Sequence, residues 1–311
     1  MSVDYFQKKI DTINRLKKEK NAIILAHNYV LGEVQDVADF VGDSLELSIK
    51  AQNIDEDVIV FCGVQFMAET AKILSPEKTV LHPVKECGCP MADMADAPSL
   101  REFMKPYPEA VTVCYVNSTA ELKTEVDICC TSANAAEIIA LIPKEKDIIF
   151  LPDKNLGANV VKDTGREMIL WDGFCPTHMR LRPDYIIRKK KEYPHAVVIA
   201  HPECRPEVVE LADQSLSTGG MLRFARETDA KQIIVATELG IIHRLQKENP
   251  DKQFISISEQ AVCMTMKMIE LDHIIYALEN NETEIILDEE TIEKAKLPIL
   301  RMIEMKDFNI W

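Results

Sequence analysis

Residues 22–29 read AIILAHNY, residues 110–117 read AVTVCYVN and residues 196–203 read AVVIAHPE. Each is an apolar, β-branched run that ends in polar residues, as a parallel strand buried on both faces does at its carboxyl end. The three superimpose at offsets of 88 and 86 residues, which aligns His27 with Tyr115 and His201, and Tyr29 with Asn117 and Glu203. Downstream the same offsets align Ser44 of ADFVGDS, Ser132 of VDICCTS and Thr218 of ADQSLST, each standing before a helix-forming stretch. A second apolar strand recurs at VIVFCGVQ, DIIFLPDKN and QIIVATELG. Each unit then closes on a cysteine, Cys89 in GCPMADM, Cys175 in GFCPTHM and Cys263 in AVCMTMKM, at spacings of 86 and 88.

Aligned polar positions in a constant order define a β-α-β-α unit used three times. The expected fold is α/β, with three homologous three-layer α/β/α domains whose parallel sheets are arranged about a pseudo-threefold axis. Proline-containing joints at KPYPEA and EYPHA divide the chain into 1–106, 107–192 and 193–311, the last carrying one or two extra helices after Asn281. Ligands of such sheets sit outside the carboxyl ends of the strands, so the aligned residues are expected to converge on one site.

With 311 residues, 47% of them hydrophobic, the chain has enough apolar material for several cores. A net charge of −15 leaves no basic stripe to neutralise phosphates, which argues against a nucleic-acid partner. The opening MSVDYFQKKIDTINRLKKEK reads as a charged amphipathic helix rather than a secretory signal, and no apolar run reaches the roughly 18 residues of a membrane span, so a cytoplasmic protein is expected. Nine cysteines, an odd number without secretory features, point to reduced thiols rather than a disulfide framework.

Three cysteines in register could give three thiolates to one centre, a donor set suited to an iron-sulfur cluster, with zinc as the alternative. Cys62, Cys114, Cys129, Cys130 and Cys204 lie in or beside apolar strands and read as core. Cys87 and Cys204 stand outside the register of the trio and remain open as ligands. The hydroxyls of Ser44, Ser132 and Thr218 either cap the helices that follow or, with the helix amino ends, frame an anion site. His27, Tyr29, Tyr115, Asn117, His201 and Glu203 supply acid, base and hydrogen-bonding groups, with His201 and Glu203 foremost for proton transfer. His178, three residues after Cys175, faces either this site or its surroundings. His82, His195, His243 and His273 share no such register.

These motifs, AHNY with GDS, FCGVQFMAETAKIL, GCPMADM, YVNSTAELK, TSANA, PDKNLG, WDGFCPTH, HPEC, LSTGGM, TELG and CMTM, resemble the quinolinate synthase family in order from about residue 22 to 272. The resemblance implies a 4Fe-4S cluster held by Cys89, Cys175 and Cys263 with one iron left open. It also implies condensation of iminoaspartate with dihydroxyacetone phosphate to quinolinate, in the service of NAD biosynthesis. An aspartate dehydrogenase or oxidase would supply the iminoaspartate. By the same resemblance Glu203, His201, Tyr29 and Tyr115 are catalytic, and His27, Ser44, Asn117, Ser132, Ser217 and Thr218 bind substrate. One departure stands out: some relatives carry a CxxCxxC run at the third ligand, whereas Met266 and Lys267 follow Cys263 here, so no disulfide switch is expected there. The residues taken alone also fit another cluster-dependent hydro-lyase acting on a hydroxy acid, while a cluster-exposing sensor would need a docking segment that is not visible.

Overall fold

The computed structural model describes residues 3–305. Among these residues twelve strands form three sheets of four, and every pairing within them is parallel. The first sheet holds β1 (Ala22–His27), β2 (Phe40–Gly42), β3 (Val58–Cys62) and β4 (Thr79–Leu81). The second holds β5 (Val111–Tyr115), β6 (Ile128–Cys130), β7 (Ile148–Leu151) and β8 (Ile169–Leu170). The third holds β9 (Val197–Ala200), β10 (Gln214–Ser215), β11 (Gln232–Ala236) and β12 (Gln253–Ser256). Strand orders are β2-β1-β3-β4, β6-β5-β7-β8 and β10-β9-β11-β12, one topology repeated three times. The fold is therefore α/β with three similar units, as the repeat leads one to expect.

Register agrees down to single residues. Ala26 pairs with Val41 and Cys62, Cys114 with Cys129 and Leu151, and Ala200 with Ser215 and Ala236. The central strands β1, β3, β5 and β7 are buried along their whole length, which is why their sequences run apolar without alternation. One apolar core runs continuously through the first two units and reaches the third, while a second, smaller core lies around Val198, Ile234 and Ile255.

The helices at the end of the chain do not stay with the third sheet. Leu271–Asn280 packs on the amino-terminal helix Val3–Lys20, and Glu289–Glu304 packs on β6 and on the helices Gln65–Leu74 and Ala120–Lys123. Asn134 donates to the Met302 carbonyl at 3.1 Å, and Ile285 N–H donates to the Val80 carbonyl at 2.8 Å, covering the edge strand β4. Among the described residues no helix is long and apolar enough to cross a membrane.

Candidate active site

The carboxyl ends of β1, β5 and β9 point into one cavity of about 150 Å³ walled by all three units. Every expected site residue lines it except Ser217: His27, Tyr29, Ser44, Cys89, Tyr115, Asn117, Ser132, Cys175, His201, Glu203, Thr218 and Cys263. Ser217 stands just behind the wall, where its hydroxyl accepts from Gly220 N–H at 3.2 Å and donates to Asp43 at 3.3 Å.

The capping alternative for the hydroxyl trio is settled by local geometry. Asp43, not Ser44, caps Ser44–Gln52, with reciprocal 2.9 Å bonds between Asp43 and Glu46, and Ser217, not Thr218, caps Thr218–Glu227. The cap of Ala135–Leu141 falls on Asn134, two residues past Ser132. Capping one place earlier, or two later, leaves Ser44, Ser132 and Thr218 on the cavity wall. The helix amino ends are less open to an anion than expected, because Asp43 Oδ2 already accepts from Gly219 N–H at 3.3 Å. A methyl group on Gly219 would lie 2.6 Å from that oxygen, so only glycine permits the approach.

First and third units use the same device at the strand end. Tyr29 N–H donates to His27 Nδ1 at 3.2 Å, and Glu203 N–H donates to His201 Nδ1 at 3.3 Å. Burial lowers both imidazoles to about 3, so both are neutral near pH 7, and with Nδ1 accepting, the proton sits on Nε2. His201 Nε2 therefore donates to Ser132 Oγ, 3.3 Å away.

A chain of buried hydrogen bonds crosses the site. Tyr29 OH lies 2.6 Å from Thr237 Oγ1, which lies 2.8 Å from His178 Nε2; His178 Nδ1 lies 2.7 Å from Glu203 Oε2, and Tyr115 OH donates to Glu203 Oε1 at 2.5 Å. Burial alone would raise Glu203, yet His178 and the Tyr115 hydroxyl, both hydrogen-bonded to it, hold it well below the usual carboxylate range. Burial, followed by the nearby Glu203 charge, pushes both tyrosines well above 10, so they remain phenols. The amide oxygen of Asn117 is buried without a hydrogen-bond partner among the described residues, a group that a ligand could satisfy.

The three cysteines in register are free and half-buried, and they share the cavity with Pro90, Met91, Pro176, Val262 and Met266. Burial pushes Cys89 up to about 12, while N–H groups of Ala92 and Met91 that hydrogen-bond the sulfur pull the other way; burial, followed by the Glu203 charge, raises Cys175 as well. Backbone N–H donors at thiolate sulfurs, an apolar wall and three soft donors from three units are what a tris-thiolate cluster site requires. Cys175, His178 and Glu203 also gather ligand atoms within 4.8 Å of one another and could hold a metal ion, although their mutual hydrogen bonds already occupy them. Cys87 turns away, donating to the carbonyls of Gly63 and Thr265 at 3.2 and 3.0 Å, and Cys204 points at the Ala236 carbonyl. Neither lines the cavity.

Thr237, Asp43, Asp153, Glu238 and Lys267 surround this site without having been singled out from the sequence. Glu238 is fully buried, paired with Lys267 at 2.9 Å, and Lys267 also donates to the Tyr29 carbonyl. Arg180 is exposed at the rim and is the one permanently cationic side chain lining the cavity among the described residues.

The family model for quinolinate synthetase A protein matches residues 11–304. A quinolinate synthase of Dehalococcoides mccartyi is 56% identical over 293 residues, covering 94% of this chain and 97% of the relative. Those of Thermodesulfovibrio yellowstonii and Alkaliphilus metalliredigens are 52% and 48% identical, covering 95% and 96% of this chain and 98% of each relative. Near-complete coverage at such identity leaves one conclusion: this chain belongs to the quinolinate synthetase A protein family.

Proposed function

We propose that this chain is a quinolinate synthase, condensing iminoaspartate with dihydroxyacetone phosphate to quinolinate, with loss of phosphate and water, on the route to pyridine nucleotides. The observation that carries the reading is the meeting of three free cysteines, one per unit, with Glu203, two neutral histidines and two tyrosines in one cavity. Relatives bearing that name at 48 to 56% identity support it. The same reading keeps the units at 1–106, 107–192 and 193–311 and treats the protein as cytoplasmic.

Cys89, Cys175 and Cys263 would hold a 4Fe-4S cluster, which when bound supplies an open iron as Lewis acid for dehydration. The side chains around it do the rest. Glu203, ionised and buried, takes a proton from the condensing carbon or nitrogen. Tyr115 and His178 hold its two oxygens, and Thr237 connects His178 to Tyr29, so when Tyr29 gives its phenolic proton to substrate oxygen the proton gained at Glu203 can replace it along this chain. His27 and His201, fixed as neutral Nε2–H donors, hydrogen-bond substrate oxygen without adding charge. Asn117, Ser44, Ser132 and Thr218 orient carboxylate and phosphate, Ser217 supports Thr218 from behind, and Arg180 draws anions to the mouth of an acidic protein. Iminoaspartate hydrolyses readily, so an aspartate dehydrogenase or oxidase must deliver it fresh.

The deciding experiment is quinolinate formation by anaerobically purified protein given both substrates, with iron and sulfide counted on the same sample. Product in proportion to cluster content is expected. A full cluster without product would overturn the substrate assignment and leave a different cluster-dependent hydro-lyase.

A further inference from the structure

The pairing of β3, β7 and β11 with the central strands makes Cys62, Leu151 and Ala236 equivalent, and two residues on this aligns Val64, Asp153 and Glu238. All three units then make the same main-chain bond from the next residue to the cysteine loop: Gln65 N–H to the Cys87 carbonyl at 2.8 Å, Lys154 to Gly173 at 2.9 Å, and Leu239 to Ala261 at 2.9 Å. Each acceptor lies two residues before its cysteine.

Two of the units add a second tether. Asp153 Oδ2 accepts Cys175 N–H at 3.1 Å while Oδ1 accepts the amides of Asn155 and Leu156 at 2.8 and 2.9 Å. Glu238 Oε1 accepts Cys263 N–H at 3.0 Å while Oε2 accepts Gly240 N–H at 2.6 Å. In both, one carboxylate oxygen is fixed to the end of the sheet and the other grips the cysteine backbone. Both residues are fully buried, and such a side chain with every oxygen engaged is rigid. The Val64 side chain has no acceptor to offer, so no carboxylate grips the Cys89 backbone; its loop is held by the main-chain tether and by the Cys87 thiol on the Gly63 and Thr265 carbonyls.

We propose that Asp153 and Glu238 are positioning residues for the cluster, fixing the backbones of Cys175 and Cys263 before iron arrives. The inference rests on the tris-cysteine reading of the site. Partners that orient metal ligands are commonly worth 10- to 100-fold in metal retention, and these two are placed to act so.

The test is iron release. Protein reconstituted anaerobically with iron and sulfide is challenged with a chelator, and the rate is followed optically for the unsubstituted chain, Asp153→Ala and Glu238→Ala. Each substitution is expected to speed release roughly 10-fold or more and to alter the electron paramagnetic resonance spectrum of the reduced cluster, which a loss of general stability would not. Asp153→Asn and Glu238→Gln keep volume and one acceptor oxygen, should fold where alanine does not, and should release iron at an intermediate rate. Unchanged release and spectra in all four variants would overturn the proposal. Failure of the unsubstituted chain to take up iron and sulfide would instead overturn the cluster assignment and this inference with it, so the two failures are told apart.

Discussion

His27–Tyr29 at the end of β1 and His201–Glu203 at the end of β9 are built alike and do different work. Both place a buried imidazole whose Nδ1 accepts the N–H two residues on, at 3.2 and 3.3 Å, and both imidazoles fall to about 3 for the same reason, burial. The residue that donates that N–H is tyrosine in one and glutamate in the other. In the first unit the side chain is a phenol held neutral, in the third a carboxylate held ionised by His178 and the Tyr115 hydroxyl. The middle unit has Tyr115 and Asn117 in these places, and Tyr115 reaches across to the glutamate of its neighbour at 2.5 Å. Repetition sets where the groups stand; single substitutions decide which is acid, base or donor.

The sharpest way to break that division is Glu203→Gln, which keeps the shape and removes the base. Turnover is expected to fall by about 10² to 10⁴ with iron and sulfide content intact. Full activity would take Glu203 out of the chemistry. Tyr29→Phe should cost less, about 10- to 100-fold in kcat, because the rest of the hydrogen-bond chain survives. A loss equal to that of Glu203→Gln would mean that the two strand ends share one role. Thr237→Val cuts the chain between Tyr29 and His178, removing both buried hydrogen bonds of that hydroxyl, and is expected to cost several-fold in kcat with little change in KM. An effect confined to KM would make Thr237 a substrate contact instead.

The last test concerns stability against pH. A histidine at about 3 in the folded chain and 6.5 when unfolded binds a proton only after unfolding across that window, so stability rises with pH between the two values and is lost as acid is added. Each contributes a slope of about 1.4 kcal/mol per pH unit there. Chemical denaturation of the metal-free His27→Asn, His201→Asn double variant should show that slope flattened, with equal shares from each single variant. Unequal shares would show that the matched geometry hides unequal burial.

Much of this was legible beforehand. Offsets of 88 and 86 residues carry the β1, β5 and β9 ends and the hydroxyl trio, and the pairing register of those strands obeys them. What escaped has physical reasons. Between the third strands the offsets become 89 and 85, a one-residue slip that hid Asp153 and Glu238 behind a different alignment. Thr237 is one polar residue after an apolar run and announces nothing until the fold brings Tyr29 and His178 to it. Helix capping fell on Asp43, Ser217 and Asn134 because a cap must precede the first helical amide, and sequence pattern locates that point only to within a residue or two. Nor could the packing of Glu289–Glu304 on the second unit be read, since both surfaces are amphipathic and the contact spans much of the chain.

That the three cysteines come one from each unit has a consequence for the life of the protein before it is finished. Cys89 and Cys263 lie 174 residues apart, so at a ribosomal pace of roughly 5–20 residues per second the first thiol waits about 10–35 s for the last to be made. Throughout that interval at least one of the three thiols is missing, and cluster delivery must follow synthesis rather than accompany it.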